Sequence, residues 1–465
     1  MPVNSFENYP LSWKPDKSRL KAPYYLSLAK ALENDIARGL LAPGTKLPPQ
    51  RELADYLDLN FTTITRVYKQ CGQKGLVYGI TGKGTFVSPN ALRSVTISAG
   101  NFSGDCIDLG IVASFEECNA MLLECTANIL EQSQVASLFD YNNPTGIPYQ
   151  KMAGLNWMSS FGIEADIDHV AIVSGTQNAL AIALLGLFSP GDQIAVDTFI
   201  FANFIELSRI YHIQLIPIEG DENGMIPEEL ENACKQNKIQ GVFLMPCCSN
   251  PTTIMMSDKR KRALAKIIEK YRLLVIEDDI HAFMTAGIMP DYRQSFFSIL
   301  PEQTVYLCGT SKSICSGLRV AYLVFGERLK EGILSAIFNV NVKTSSLDAE
   351  VITQAILTGT AHKIVAKKRQ LAERRNALFD EYFDNKVPNG HPYSYYRWLP
   401  ISNEKNGGVI EAELMERGIR VYHSDRFLSG KYSDDAFLRI SLATVDDENR
   451  LRSGLEILKG YLDEN

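Results

Sequence analysis

The sequence predicts a multidomain chain: a small helical head ending in a hairpin, an α/β body on a mainly parallel sheet, and a small α+β subdomain at the C-terminal end. Three observations lead there. Across residues 107–345, short apolar runs (HVAIVSG, QIAVD, IQLIPI, GVFLMP, RLLVIED, TVYLCG, VAYLVFG) alternate with helical stretches such as DKRKRALAKIIEKY. That is the pattern of strands buried on both faces between helices. Residues 25–88 read as helices followed by a Gly-rich strand–turn–strand. Residues 346–465 hold long helical patterns and then FLRISLA, a strand of the smaller subdomain. With 465 residues, 45% of them hydrophobic, the chain can bury more than one core.

Composition narrows the class. No apolar run approaches the roughly 18 residues of a membrane span, and the start lacks the basic-then-apolar order of a signal peptide. The nine cysteines are scattered, with no C-x-x-C pair and no zinc spacing. These features imply a cytoplasmic chain with reduced thiols and no metal. The net charge of −7 is unevenly spread: residues 1–90 carry 12 Lys/Arg against 7 Asp/Glu, and the remainder 35 against 47. A basic head on an acidic body suits a polyanion at the head alone. Residues 1–24 are polar with scattered Pro, an arm, and residues 89–106 (PNALRSVTISAGNFSGDC) read as a linker.

In the head, Leu28, Leu32 and Ile36 recur every four residues with Ala29 beside them and Lys30 and Asn34 opposite. This is an amphipathic helix, closed by Gly39. APGTKLPPQRELADYL follows as a Pro/Gly turn and a helix from about Pro49. A third helix starts near Asn60 or Phe61, with Asn60, Thr62, Thr63, Thr65, Arg66 and Lys69 crowded into its first turns. Two helices so joined make a helix-turn-helix, which puts the start of the later helix into the major groove of double-stranded DNA. LVYGITGKGTFVS then reads as a wing, with Lys83 at its tip able to reach backbone phosphates.

In order and spacing, PGTKLPPQRELA, TTITRVYKQ and GKGTFV resemble the GntR-type winged helix. The resemblance implies that Arg51 contacts DNA and that Thr62, Thr63 and Arg66 lie at the groove. Phe61 stands where that family usually has Arg, and an aromatic ring cannot make a bidentate guanine contact. Sequence preference is therefore expected to differ from that of relatives.

In the body, TSKSICSGLRVAYLV places Lys312 just beyond an apolar strand, with Arg319 seven residues on. Ser311 and Arg319 can both reach a phosphate. RLLVIEDDIHAF brings Glu277, Asp278 and Asp279 to a strand's C-terminal end, where open α/β sheets place ligands. IVSGTQNALAIALLGL ends a strand as a helix begins, so the backbone at Gly175, Thr176 and Gln177 suits a phosphate; the same pattern is also ordinary capping.

These segments resemble the site of fold-type I aminotransferases, which bind pyridoxal 5′-phosphate. The resemblance implies that Lys312 holds the cofactor as a Schiff base, the internal aldimine. It assigns Asp278 to the protonated pyridine nitrogen, a pairing that keeps the ring an electron sink. Relatives carry a Tyr two or three residues after that Asp; here stand Ile280 and His281. His281 either replaces the Tyr, making the site more pH-sensitive, or lies at the surface. MPCCSNPTT resembles the family's Asn-Pro-Thr-Gly turn, with Thr253 for the Gly and Asn250 implied at the ring hydroxyl. VDTFIFANF lies where relatives stack an aromatic on the cofactor: Phe201 fits the register, with Phe199 the alternative. DYNNPTGIPYQKMAGLNW resembles a loop whose Tyr reaches the phosphate of the other subunit, so Tyr141 implies a homodimer. Arg439 in FLRISLA sits where the family binds the substrate's α-carboxylate bidentately. Gly309 stands where a phosphate-binding hydroxyl is common.

Residues 25–465 together resemble the MocR subfamily of GntR-type regulators: winged helix, linker and a PLP-dependent transferase fold, paired head-to-tail. Two functions remain open. One is a transcriptional regulator that binds operator DNA, expected near its own gene, and senses pyridoxal phosphate or a small amino compound. The other is an aminotransferase with an accessory head, in which Lys312 and Asp278 are the catalytic residues. The departures at Thr253, His281 and Gly309 weigh against efficient turnover and favour the regulator.

Overall fold

The computed structural model describes residues 11–80, 82–88, 91, 96–97, 106–133, 135–141, 143–285, 294–383, 391–402, 406–430, 433 and 435–464. The first part of the expected arm and nearly all of the expected linker lie outside these residues.

The head is built from α1 (Tyr24–Ala37), α2 (Gln50–Leu57), α3 (Phe61–Gln73) and the hairpin β1 (Val77–Ile80) and β2 (Gly84–Val87). Leu28, Leu32 and Ile36 of α1 bury against Leu53, Leu57, Ile64 and Val67, so the four-residue spacing becomes one core-facing stripe. Gly39, at φ +71°, ends α1 in the left-handed conformation that glycine adopts without strain. Asn60 caps α3, its side chain accepting from the Thr62 N–H at 2.9 Å. The hairpin is antiparallel and closes at the Ile80↔Gly84 pair. A residue of the segment read as an arm joins the head. Trp13 is buried in the head core, and its indole N–H donates to Asp35 at 2.9 Å.

The body is organised on seven strands: β3 (Val170–Val173), β4 (Gln193–Asp197), β5 (Gln214–Ile218), β6 (Ile239–Leu244), β7 (Leu274–Asp278), β8 (Thr304–Gly309) and β9 (Ala321–Phe325). Their order is β3-β9-β8-β7-β6-β4-β5. All neighbours are parallel except around β9, which runs antiparallel to β8 and β3. The cause is local. Only Thr310–Val320 joins β8 to β9, too short for the crossover that a parallel return requires.

Alternation along the strands splits the core in two. Ile172, Tyr306, Tyr322 and Val324 face one cluster with Trp157 and Ile352. Ala171, Val305, Leu307 and Leu323 face another with α4 (Thr176–Leu187) and α6 (Glu327–Val340); between these two helices α5 (Ala202–Ile210) follows β4.

The chain continues through α7 (Ser346–Leu357) and α8 (Thr360–Phe383). Residues of α7 and the first half of α8 pack into the body core. Leu378, Phe379 and Phe383, late in α8, pack into the C-terminal subdomain. Its sheet is β10 (Tyr396–Ile401), β11 (Tyr422–His423) and β12 (Ala436–Ser441), ordered β10-β12-β11. Ile107–Asp108 pairs in parallel with Ile419–Arg420, and Ile107 and Leu109 are buried with Leu438 and Leu455. The first body residues thus pack on the last subdomain, a closure across the chain that no local pattern encodes. Among the described residues no helix is long and apolar enough to cross a membrane.

Candidate functional site

Because β3, β7 and β8 run the same way, their C-terminal ends gather at one end of the sheet, where open α/β sheets bind ligands. Lys312 lies on a one-turn helix, Thr310–Ser313, directly after β8. The buried Thr310 hydroxyl donates to Val320 O at 2.7 Å and closes this loop. The half-buried Lys312 amine donates to the carbonyls of Val112 and Ala113. Burial pushes its pKa down to about 7, and Arg439, Lys368 and Arg319 push the same way, against Glu116. An amine poised there is partly neutral at physiological pH, as a nucleophile or proton carrier requires.

Arg319 reaches Ser311 Oγ from Nη1 at 3.1 Å. Its guanidinium also lies on the backbone of Gly175, where a Cβ would stand 2.5 Å from Nη2. Gly175 is at φ +85° and precedes the first turn of α4, whose unsatisfied N–H groups favour an anion. The buried Thr176 hydroxyl has no hydrogen-bond partner among the described residues. A Cβ at Gly309 would stand 2.2 Å from that hydroxyl. The sequence marked Gly309 as a lost hydroxyl; in the structure the Thr176 hydroxyl, from the first turn of α4, stands where a side chain at 309 would project.

Asp278 ends β7, is 2% exposed, and has one carboxylate oxygen with no hydrogen-bond partner among the described residues. Burial first, then the charge of Asp279, raise its pKa to about 7. Its neighbours alternate to the other face. There Glu277 accepts from the N–H groups of Phe296 and Phe297, both at 2.9 Å, and Asp279 accepts from the Tyr306 hydroxyl at 3.2 Å. His281 is buried rather than at the surface, and its Nδ1 has no hydrogen-bond partner among the described residues. Burial, then Lys312 and His391, lower its pKa to about 3. The expected pH sensitivity is therefore corrected: this imidazole is neutral across the physiological range.

Arg439 is buried on β12. Its Nη1 donates to Asn250 Oδ1 at 2.9 Å and its Nη2 to Gly110 O at 2.6 Å, while Nε has no partner among the described residues. Phe427 and Tyr422 flank the guanidinium at 4.8 and 5.7 Å. Burial lowers its pKa only to about 10, so it stays charged. Thr253 adopts φ +61°, the left-handed conformation that glycine takes without strain.

A buried hydroxyl, a buried carboxylate, a neutral imidazole and a buried guanidinium thus each carry a polar atom with no hydrogen-bond partner among the described residues, and the cations Arg439, Lys368 and Arg319 act on the Lys312 amine. These residues fit a ligand bringing a phosphate and a ring nitrogen, as pyridoxal phosphate does. Phe199 packs on Trp398 and Phe437 at 5.4 and 5.8 Å, in the wall between body and subdomain. Phe201 is half-buried at the start of α5, and Gln177 half-buried on α4. Tyr141 stands at the surface, 80% exposed. Sequence reasoning missed Lys368 and Tyr395, which both donate to the Lys312 carbonyl, at 3.1 and 3.2 Å. It also missed Tyr396, which donates to Cys248 O at 2.7 Å. Lys368 sits in AKKRQ among other basic residues, and no spacing sets it apart.

In the head, Ile64, Val67, Tyr68 and Cys71 turn α3 inward, leaving Phe61, Thr62, Thr65, Arg66 and Lys69 exposed. Thr63 is half-buried and off the centre of that face. The Thr65 hydroxyl donates to Gln50 on α2 at 2.7 Å, locking the two helices together. Arg51 is exposed, 6.0 Å from the Phe61 ring, and Arg66 lies 4.3 Å from the Tyr25 ring. Lys83 is exposed on the wing.

Comparison with known proteins matches residues 107–453 to the family "Aminotransferase class I and II" and residues 24–87 to "Bacterial regulatory proteins, gntR family". The HTH-type transcriptional regulator YdeF of Bacillus subtilis, itself uncharacterized, is 35% identical over 100% of both chains. The vitamin B6 salvage pathway transcriptional repressor PtsJ of Salmonella typhimurium is 24% identical over 90% of this chain and 94% of its own. Among solved structures, a kynurenine aminotransferase of Pyrococcus horikoshii superposes with a TM-score of 0.71 at 19% identity, covering 78% of this chain and 92% of that one. This last likeness is one of fold.

Proposed function

This chain belongs to the GntR-type regulators of the MocR subfamily, a gntR-family head fused to a class I and II aminotransferase body, and from that premise we propose how it works. It is a cytoplasmic homodimer, paired head-to-tail, that binds an operator near its own gene and reads pyridoxal phosphate, or a small amino compound meeting it, through the Lys312 pocket. One observation carries this: Asp278, Thr176, His281 and Arg439 each bury a polar atom with no hydrogen-bond partner among the described residues, and the charges of Arg439 and Lys312 tie two of these side chains to the Lys312 amine, in a chain whose α3 face is exposed and basic. The role of PtsJ as a repressor of a vitamin B6 salvage pathway supports the cofactor itself as a signal.

When bound, pyridoxal phosphate supplies an aldehyde that condenses with amines and a ring that withdraws electrons. The chain supplies the rest. Arg319, Ser311 and the start of α4 with Thr176 and Gln177 hold the phosphate. Asp278 holds a proton at the ring nitrogen, Asn250 and neutral His281 take the ring hydroxyl side, and Phe201 covers the ring. Tyr141 reaches across to the second subunit. Lys312, near neutrality, gives or takes a proton, and Arg439 receives a carboxylate. Arg51, Thr62, Thr63, Arg66, Lys69 and Lys83 meet the DNA.

Borohydride treatment of the loaded protein is expected to fix the cofactor on Lys312, mapped by mass spectrometry, and K312A to abolish the adduct. A footprint upstream of the gene is expected to change when cofactor or amines are added. A footprint indifferent to all of them would sink the reading. The presence of both Lys312 and Arg439 in one pocket keeps aminotransferase chemistry as a second reading. It fails if no amino acid converts the bound aldehyde form to the amine form.

A further inference from the structure

We propose that Lys368 is a positioning residue for Lys312: from behind the Lys312 turn its ammonium holds the carbonyls of Lys312 and Ile314, fixing where the Lys312 side chain starts. This deepens the reading above and rests on it for its use, though not for its test. The one-turn helix Thr310–Ser313 ends with carbonyls that no following turn satisfies. Lys368 Nζ donates to Lys312 O at 3.1 Å and to Ile314 O at 3.0 Å. Tyr395, buried on the other side, donates to the same Lys312 carbonyl at 3.2 Å. A cation is the favoured partner at such a C-terminal end, and three rotatable donors let it serve two carbonyls at once.

Lys368 is fully buried on α8. Burying an ammonium for helix stability alone is a costly choice, since an apolar side chain could fill the same space. A second consequence makes the charge useful. The Lys368 ammonium lowers the proton affinity of the Lys312 amine. The charged groups facing Lys312 are Arg439 on β12, Lys368 on α8, Arg319 in the loop before β9, and Glu116; the titratable His281 also lies within its field. The titratable groups facing Lys368 are the thiols of Cys118 and Cys315, the carboxylate of Glu116 and the Lys312 amine itself. Lys368 itself is pushed down by burial only to about 8, so it remains mostly charged at pH 7.

The test is competitive labelling of the full-length, cofactor-free protein with acetic anhydride across pH, reading Lys312 by peptide mass spectrometry. In the unaltered protein the midpoint for Lys312 is expected near 7. In K368Q it is expected to rise by about one unit, slowing Lys312 labelling at pH 7 about fivefold. K368R, which keeps the charge, is expected to restore the midpoint. A K368Q midpoint unchanged from the parent, whatever happens to the melting temperature, overturns the proposal. If K368Q does not fold, Y395F provides the second measurement: it removes the other donor to the Lys312 carbonyl and leaves the charge. Its Lys312 midpoint should stay near that of the parent; a shift as large as that expected for K368Q would overturn the proposal. Failure of the parent to form a reducible cofactor adduct would sink the regulator reading alone, because the labelling needs no cofactor.

Discussion

Gly309 and Thr176 share one space, and exchanging their roles tests whether the hydroxyl moved between them. A Cβ at position 309 would stand 2.2 Å from Thr176 Oγ1, and 3.0 and 3.1 Å from the Ile280 side-chain carbons Cγ1 and Cδ1. The first contact is too short to survive, so G309S must displace Thr176 from the first turn of α4. Overpacking of this kind costs about 2 kcal/mol. T176A alone removes a buried hydroxyl that lacks a protein partner. In the cofactor-free protein that is neutral or stabilising by up to about 1 kcal/mol. The double variant puts the hydroxyl on residue 309 and relieves the clash, leaving only the flexible end of Ile280 to adjust. Its stability should return to within about 0.5 kcal/mol of the parent, a coupling near 2 kcal/mol. The assay is urea unfolding, with Trp13 replaced by Phe throughout so that Trp157 of the body and Trp398 of the C-terminal subdomain report. Cofactor affinity is the second readout: T176A should lose about tenfold, one hydrogen bond to a charged group, and the double variant should recover it. Strictly additive stabilities, or no recovery of affinity, would refute the reasoning.

The raised pKa of Asp278, about 7 against an ordinary 3.8, means that the folded protein binds its proton more tightly than the unfolded chain does. Stability of the cofactor-free protein should therefore fall as pH rises between those values, and D278N should recover on the order of 3 kcal/mol at pH 8 while weakening cofactor binding; a D278N melting temperature no higher than the parent's at pH 8 would contradict this. Thr253 holds a β-branched side chain at φ +61°, so T253G is expected to stabilise by about 1 kcal/mol, measured by thermal unfolding; a loss would show that its contacts outweigh the strain. R66A should weaken DNA binding, and K83A should reduce the salt dependence of binding by about one unit of slope; equal slopes would take Lys83 off the DNA. R439K keeps a charge but cannot span Asn250 and Gly110, so it should abolish spectral responses to amino acids while cofactor loading persists.

The sequence by itself determined the order of parts, because that order is written locally. Period-four apolar positions, a Pro/Gly turn and a capped third helix specify the head. Seven short apolar runs between helices specify the sheet, and each became a strand. Lys312, Asp278 and Gly175 were legible for the same reason, since each ends or follows a strand and the ends of parallel strands converge. Other features depend on residues far apart in the chain. Lys368 and Tyr395 come from α8 and the start of the C-terminal subdomain, and only packing brings them to the Lys312 carbonyl. Likewise Ile107 closes onto a strand more than three hundred residues away, and Trp13 joins a core its own segment does not announce. Protonation is tertiary too. Burial, which no single segment reveals, makes His281 neutral and draws the Lys312 amine toward 7. What local pattern could not decide is how much water each group would lose, and that quantity sets the chemistry of the pocket.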